Sequence, residues 1–228
     1  MPPRRGRPPA ADPKLRPEAI VAAGLDTLQA EGLDGLTMNK VAARLDVHAA
    51  SLYWHVRNKE ELLDLLADAV ADVPDLPAYD GDDWRAGLSE IMRAMRRHLL
   101  GRRDSARLLS GRFAAGRGQL RTVEAVLGAL RGAGLSDRDT AYALYLLTTF
   151  LIGFVGGEQA PLSAAVAAGR PPRSYLDDLR DRLAALPADE FPHTVALAGD
   201  LTAPDLDTRF EFALDRLLDG IAALPQDR

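Results

Sequence analysis

The run GLTMNKVAARLDVHAASLYWHVRNKEELLD, Gly35 to Asp64, holds three helix starts in close succession. Thr37 can accept a hydrogen bond from the backbone N–H of Asn39 or Lys40, and Leu36 and Val41 occupy the N′ and N4 positions of a hydrophobic staple. A helix of about two turns follows, and Asp46 ends it, because aspartate enters the left-handed turn conformation more readily than most side chains. HAASLYWH, His48 to His55, reads as a second short helix. Asn58, with Glu61 three residues on, opens a third through a capping-box variant, and Leu62, Leu65, Leu66 and Ala69 supply its apolar stripe. Two short helices and a tight turn, framed by longer helices, make a helix-turn-helix layout.

Within this run Leu52 and Val56 share an inward face at i, i+4, while Tyr53, Trp54, His55, Arg57 and Lys59 crowd an aromatic, polar and cationic surface. That mixture suits contact with DNA. The alternative is a charged, partly aromatic packing seam between helices.

Upstream, Ile20, Ala23, Gly24, Thr27, Leu28 and Glu31 keep helical spacing, with Pro17 suited to a first turn and Gly32 to the stop. Residues 1–15 have no apolar period and read as a flexible arm. In the first sixteen residues Arg4, Arg5, Arg7, Lys14 and Arg16 face only Asp12, about +4, whereas the whole chain carries a net −5. Downstream, Pro74 and Pro77 mark a domain border, giving a DNA-binding domain over 16–73 and a larger domain over 78–228. Helices are expected at roughly 82–100, 104–111, 117–133, 137–157, 173–185 and 205–222, with a loop at about 156–172 and a compact irregular connection containing a short helical turn at 187–204. Nothing alternates at strand period for long, so the fold class is all-α.

The chain of 228 residues can bury a substantial core, and it contains no cysteine, which removes disulfides, thiolate zinc sites and a cysteine nucleophile. No apolar segment follows the N-terminal cations as a secretory signal requires, so a cytoplasmic protein is expected. AYALYLLTTFLIGFVGG, Ala141 to Gly157, falls short of the ~20 residues of a bilayer span and reads as a helix buried on all sides, not a membrane segment. Phosphate loops, dinucleotide fingerprints, nucleophile elbows and metal-ligand clusters are all missing, which argues against an enzyme.

Residues 16–70, above all the run quoted first, resemble the DNA-binding domain of the tetracycline-repressor (TetR) family. Weaker similarity to the tetracycline-repressor subgroup continues through DDWRAGL, YLLTTFLIGFVGGEQ and RFEFALDRLLDGI. The resemblance implies a homodimer whose second motif helix enters the major groove, placing Ala49, Ala50, Ser51 and Tyr53 near bases or phosphates and His55 near the backbone. Lys59, in the first turn of the next helix, is implied to meet a phosphate, and Thr37 and Asn39 to touch DNA from the supporting helix. Ala49 and Ala50 stand where the tetracycline repressor has glutamine and proline, and Asn39 where it has arginine, so a different operator is expected. Arg5-Gly6-Arg7-Pro8 resembles a minor-groove hook; a nonspecific tail attracted to phosphates fits Arg5 and Arg7 equally.

For the C-terminal half the resemblance implies a ligand pocket, with Trp84, Met95, Leu109, Phe113, Phe150 and Phe154 as candidate lining. It also implies a four-helix dimer interface, with Phe210, Leu214, Leu217 and Ile221 on the last helix. Leu109 stands where the subgroup places a metal-binding histidine, and His98 and His193 have no second ligand at metal spacing, so a metal-free, largely apolar effector and no cofactor are expected. The leading reading is a repressor released from a palindromic operator by such an effector. A nonspecific architectural DNA binder is the alternative, with an enzyme behind it.

Overall fold

A computed structural model describes residues 15–225 except 78, 80, 82, 113–115, 168, 170, 171 and 204, and gives the backbone without side-chain detail over 161–167 and 172–174. Among the described residues there are twelve helices and no β-strand. They form two compact units: the described residues up to Pro74 together with Gly101–Thr122, and Asp75–Leu100 together with Val123 onward. The first unit takes in residues 101–122, which the border at Pro74 and Pro77 assigned to the C-terminal domain. Arg5 and Arg7 lie outside the described residues.

In the first unit α1 (Pro17–Gly35) buries Ile20, Ala23, Gly24, Thr27 and Leu28. A Cβ on Gly24 would come within 2.7 Å of Leu66 Cδ2, so the absent side chain lets Leu66 close onto α1. Gly32, at φ 74°, kinks α1 near its end. α2 (Met38–Arg44) starts at Thr37, whose Oγ1 accepts the Lys40 N–H at 3.3 Å. Asp46 turns the chain at φ 54°, and α3 (Ala49–Tyr53) follows.

Asn58 caps α4 (Lys59–Ala71), its Oδ1 accepting the Glu61 N–H at 2.8 Å. The Glu61 carboxylate reaches back one residue past the cap, to the Arg57 N–H at 2.6 Å. The buried stripe of α4 is Leu62, Leu63, Leu66, Ala67 and Val70. Leu65, assigned to that stripe from spacing, is exposed, because α1 meets α4 about one position further round the helix.

α6 (Ser105–Leu109) and the start of α7 (Arg117–Gly132) complete this unit. Asp104, buried and left-handed at φ 56°, accepts the Leu33 N–H at 2.8 Å beside the Gly32 kink. Arg107 pairs with Asp34 through both terminal nitrogens, at 3.1 and 2.8 Å.

The second unit holds α5 (Trp84–Leu100), the rest of α7, α8 (Asp137–Ala167), α9 (Pro172–Ala184), α10 (Pro192–Ala196), α11 (Ala198–Leu201) and α12 (Leu206–Ala222). α8 passes through Gly156 and Gly157, where a loop was expected, and continues to Ala167. Tertiary contacts beyond the glycines account for this: Arg96 binds Glu158, and the Gln159 amide donates to the Leu99 carbonyl at 3.2 Å. They offset the ~1 kcal/mol that each helical glycine costs.

Burial of α8 on all sides is incorrect for the single chain. Ala143, Leu147, Leu151 and Val155, four residues apart, face inward, whereas Tyr142 is 67% and Tyr145 73% exposed and Leu146 is also exposed. Over Asp137–Ala160 α8 is also long and apolar enough to cross a membrane, so the length argument made on Ala141–Gly157 alone does not hold. On α12, Phe210, Leu214, Leu218 and Ile221 are buried within the chain.

Candidate nucleic-acid interface

The geometry of α3 follows from which of its side chains are apolar. Leu52 and Val56 are 0% and 1% exposed, so they pin one face of the short helix inward, and the Val56 N–H bonds the Leu52 carbonyl at 3.0 Å. The other face must then point outward. Tyr53 and His55 are exposed, as are Ala50 and, on neighbouring elements, Thr37 and Asn39; Ala49, Ser51 and Lys59 are half-buried. Ten residues were assigned to DNA contact from the sequence. Eight of them lie among the described residues, all in the first unit, on α2, α3, the turn after α3 and the start of α4.

Trp54 was not among them, yet at 89% exposed it is the most open large apolar side chain described. It sits at the C-cap of α3, where helical spacing no longer applies, so periodicity could not assign it a face. Arg57, on the same surface, was not among the ten either. Its guanidinium leans on Glu61, at 3.1 Å from Nε, and the pairing raises the arginine pKa and lowers that of the carboxyl. Lys40 pairs with Glu31 at 2.8 Å, and that bond holds the Glu31 carboxyl below the ordinary carboxylate range. Among the described residues Lys59 has no carboxylate at ion-pair distance. It sits in the first turn of α4, where unpaired N–H groups and the helix dipole already attract anions.

The candidate pocket residues are divided between the units, with Trp84, Met95, Phe150 and Phe154 in the second. Phe150 and Phe154 join Phe210 in an aromatic cluster with centroid separations of 5.6, 5.6 and 5.3 Å. Met95 is buried and Trp84 half-buried in that unit, Leu109 is buried in the first unit, and Phe113 lies outside the described residues. Phe150 and Phe154 also border an open apolar recess of about 580 Å³ along α8, with Tyr145, Leu146, Thr149 and Gly153. Among the described residues no group of three or more His, Asp or Glu side chains could hold a metal ion.

Arg96 on α5 stands beside the aromatic cluster. Its guanidinium lies 4.7 Å from the Phe210 ring centroid and 5.6 Å from that of Phe154, within cation–π range. It bonds Glu158 at 2.9 and 2.5 Å and Asp207 at 2.7 Å. Its spacing on α5 carried no signal, because its partners come from α8 and α12.

The interface assignment on α12 needs correction. Phe210, Leu214 and Ile221 are turned into their own subunit, leaving nothing of them for a second copy, and Leu217 alone of the four is partly open. Leu217 lines a groove of about 330 Å³ between α8 and α12, with Tyr142, Leu146, Arg216, Gly220 and Leu224 among its walls. Phe210, Leu214 and Ile221 do share one face of α12, but that face packs on α8 of the same chain.

Residues 20–66 match the family of bacterial regulatory proteins named tetR, and residues 76–224 match the tetracyclin repressor-like C-terminal domain. The tetracycline repressor protein class A from transposon 1721 of Escherichia coli is 43% identical over 150 residues, 64% of this chain and 68% of that protein. An HTH-type transcriptional regulator of Saccharopolyspora erythraea is 35% identical over 213 residues, 92% of this chain and 86% of its own length. The crystal structure of the TetR family protein ActR of Streptomyces coelicolor in complex with actinorhodin superposes with a TM-score of 0.78 at 36% identity, covering 92% of this chain and 96% of that one. With the helix-turn-helix in the first unit and the helical second unit both matched, the chain belongs to the TetR family of bacterial regulatory proteins.

Proposed function

We propose that the chain is a cytoplasmic, ligand-responsive transcriptional repressor, a homodimer that binds a palindromic operator and leaves it when a small, largely apolar effector binds. The observation that carries this is the division of α3 and the turn after it: Leu52 and Val56 buried, Tyr53, Trp54 and His55 outward, with the Lys59 turn of α4 following in sequence. Tyr53 and His55 supply polar groups, Trp54 an apolar face, and Lys59 a charge for phosphate. The family's regulatory role and the repressor name of the class A relative support the reading.

Pairing uses the outward face of α8 and α12, where Tyr142, Tyr145, Leu146 and Phe212 expose apolar surface that a second copy would cover. This accounts for an apolar α8 without a membrane, since its inner face packs against α5 and α12, which carry Arg93, Arg96 and Glu211. The aromatic cluster supports an effector that is mostly apolar, and ActR in complex with actinorhodin supports ligand binding by a protein of this fold. Release requires the effector to bind the DNA-incompetent conformer more tightly; a coupling of about 2 to 3 kcal/mol lowers operator affinity tens of fold.

The test is selection of duplexes from a randomised pool by the full-length protein. A palindrome with half-site centres about 34 Å or a further helical turn apart is expected. Binding without sequence preference, steep in salt, would instead identify an architectural DNA binder.

A further inference from the structure

α4 and its C-cap carry a carboxylate at every fourth residue, Glu60, Asp64, Asp68 and Asp72, and each of them holds a group from residues 112–122. Arg112 donates to Glu60 at 2.5 Å and to Asp64 at 2.6 Å. Asp68 accepts the backbone N–H groups of Gln119 and Gly118, at 2.8 and 3.4 Å, and so caps the first turn of α7 from a neighbouring helix. Arg121 is paired with Asp72, its Nε 3.1 Å from Oδ1. Just beyond, Thr122 Oγ1 accepts the Val73 N–H at 3.2 Å and donates to the Ala71 carbonyl at 2.7 Å.

The approach is too close for ordinary side chains. A Cβ on Gly116 would lie 2.1 Å from the Asp68 carboxylate carbon, and one on Gly118 would lie 2.7 Å from the Asp68 carbonyl oxygen. All of these residues belong to the first unit, and the chain leaves it for the second directly after Thr122.

We propose that this row of carboxylates sets the register of α4 for operator recognition, with Asp68 and Asp72 as positioning residues. The proposal rests on the DNA-binding function argued above. The opposite, apolar face of α4 meets α1 and α6, with Leu66 seated against Gly24; the burial that drives this packing is non-directional, and the carboxylate row adds directional bonds to it. Hydrogen bonds to carboxylates weaken steeply with displacement, so they fix position along the helix axis. Lys59 lies at one end of the same helix, and the Asn58 and Glu61 caps join that end to the segment after α3. A shift of α4 along its axis therefore moves the outward face.

The test uses the full-length protein, a palindromic duplex recovered by the wild type from a randomised pool, and a scrambled duplex of equal length and composition. Asp72→Arg and Arg121→Asp break the same pair while changing the net charge in opposite directions. Each should lower the ratio of specific to scrambled affinity about three- to fivefold, and the double variant should return it to within about twofold. Singles that move the ratio in opposite directions, singles that leave it unchanged, or a double that does not restore it would overturn the proposal. Should a charge reversal fail to fold, Asp68→Asn, nearly the same shape, should lower the ratio about threefold at an unchanged melting temperature; an unchanged ratio overturns the proposal. If the wild type itself does not distinguish the two duplexes, the DNA-binding reading fails, and the positioning role fails with it.

Discussion

Arg96 grips Glu158 with two nitrogens, Nε at 2.9 Å and Nη2 at 2.5 Å, and both side chains are nearly buried, at 11% and 7% exposed. Removing one member of such a pair leaves the other charge desolvated and partnerless, which costs more than the pair itself contributes. Arg96 has a second partner in Asp207, whereas Glu158 has Arg96 alone among the ion pairs of the described residues. Arg96→Met should therefore destabilise by about 3 kcal/mol or more, and Glu158→Leu by less. Urea unfolding of each variant and of the double measures this; a double variant near wild type, with both singles well below, is the expected pattern.

Two phenylalanines on α12 should behave in opposite ways. Phe210 is fully buried between Phe150 and Phe154, so Phe210→Asp puts a charge into the core and should unfold the second unit, read as loss of helical circular dichroism. Phe212 is 66% exposed, so Phe212→Asp should leave the helicity intact and shift the sedimenting species from dimer toward single chain.

The reading surface makes a separate prediction. Tyr53→Ala and Lys59→Ala should each weaken operator binding while the particle stays dimeric, and Lys59→Ala, which removes one phosphate contact from each protomer, should also make log affinity less steep in log salt by about two units. Normal binding by both variants would remove these residues from the interface. Trp54→Ala, at the most exposed aromatic, should weaken binding without changing the salt slope.

Asp46 turns the chain at φ 54°, a conformation glycine adopts without strain. Asp46→Gly relieves that strain but frees the unfolded chain, and the two effects nearly offset. Stability should stay within about 1 kcal/mol of wild type. A large drop in melting temperature would mean that the aspartate side chain, not the turn geometry, holds this corner.

Acid should loosen the protein. Hydrogen bonds from Arg57 hold the Glu61 carboxyl below its ordinary range, Arg107 does the same for Asp34, Arg93 for Glu211, and the Thr208 N–H and hydroxyl for Asp205. A carboxyl whose folded pKa is depressed contributes stability that is fully present above its unfolded value and lost as pH falls through the folded one. Melting temperature should accordingly be flat from neutrality to about pH 5 and fall below about pH 4. A melting temperature that rises on acidification would contradict these pairings.

The reading module was legible because each of its instructions is local. Thr37 and Asn58 are caps, Asp46 tolerates the turn, and Leu52 with Val56 can only be an inward pair, so spacing and side-chain chemistry fixed α2, the turn and α3 without reference to the rest of the chain. Tertiary structure decided whatever depends on a partner distant in sequence. Which residues of α12 face inward depends on α8 lying beside it. Whether α8 stops at its glycines depends on Arg96 reaching Glu158. Where the first unit ends depends on Arg112, Arg121 and the first turn of α7 finding the carboxylates of α4. A periodic pattern tells a helix to bury one face, but its burial partner is fixed only when the chain closes on itself, and that closure assigned Phe210 to its own subunit and left Phe212 outside.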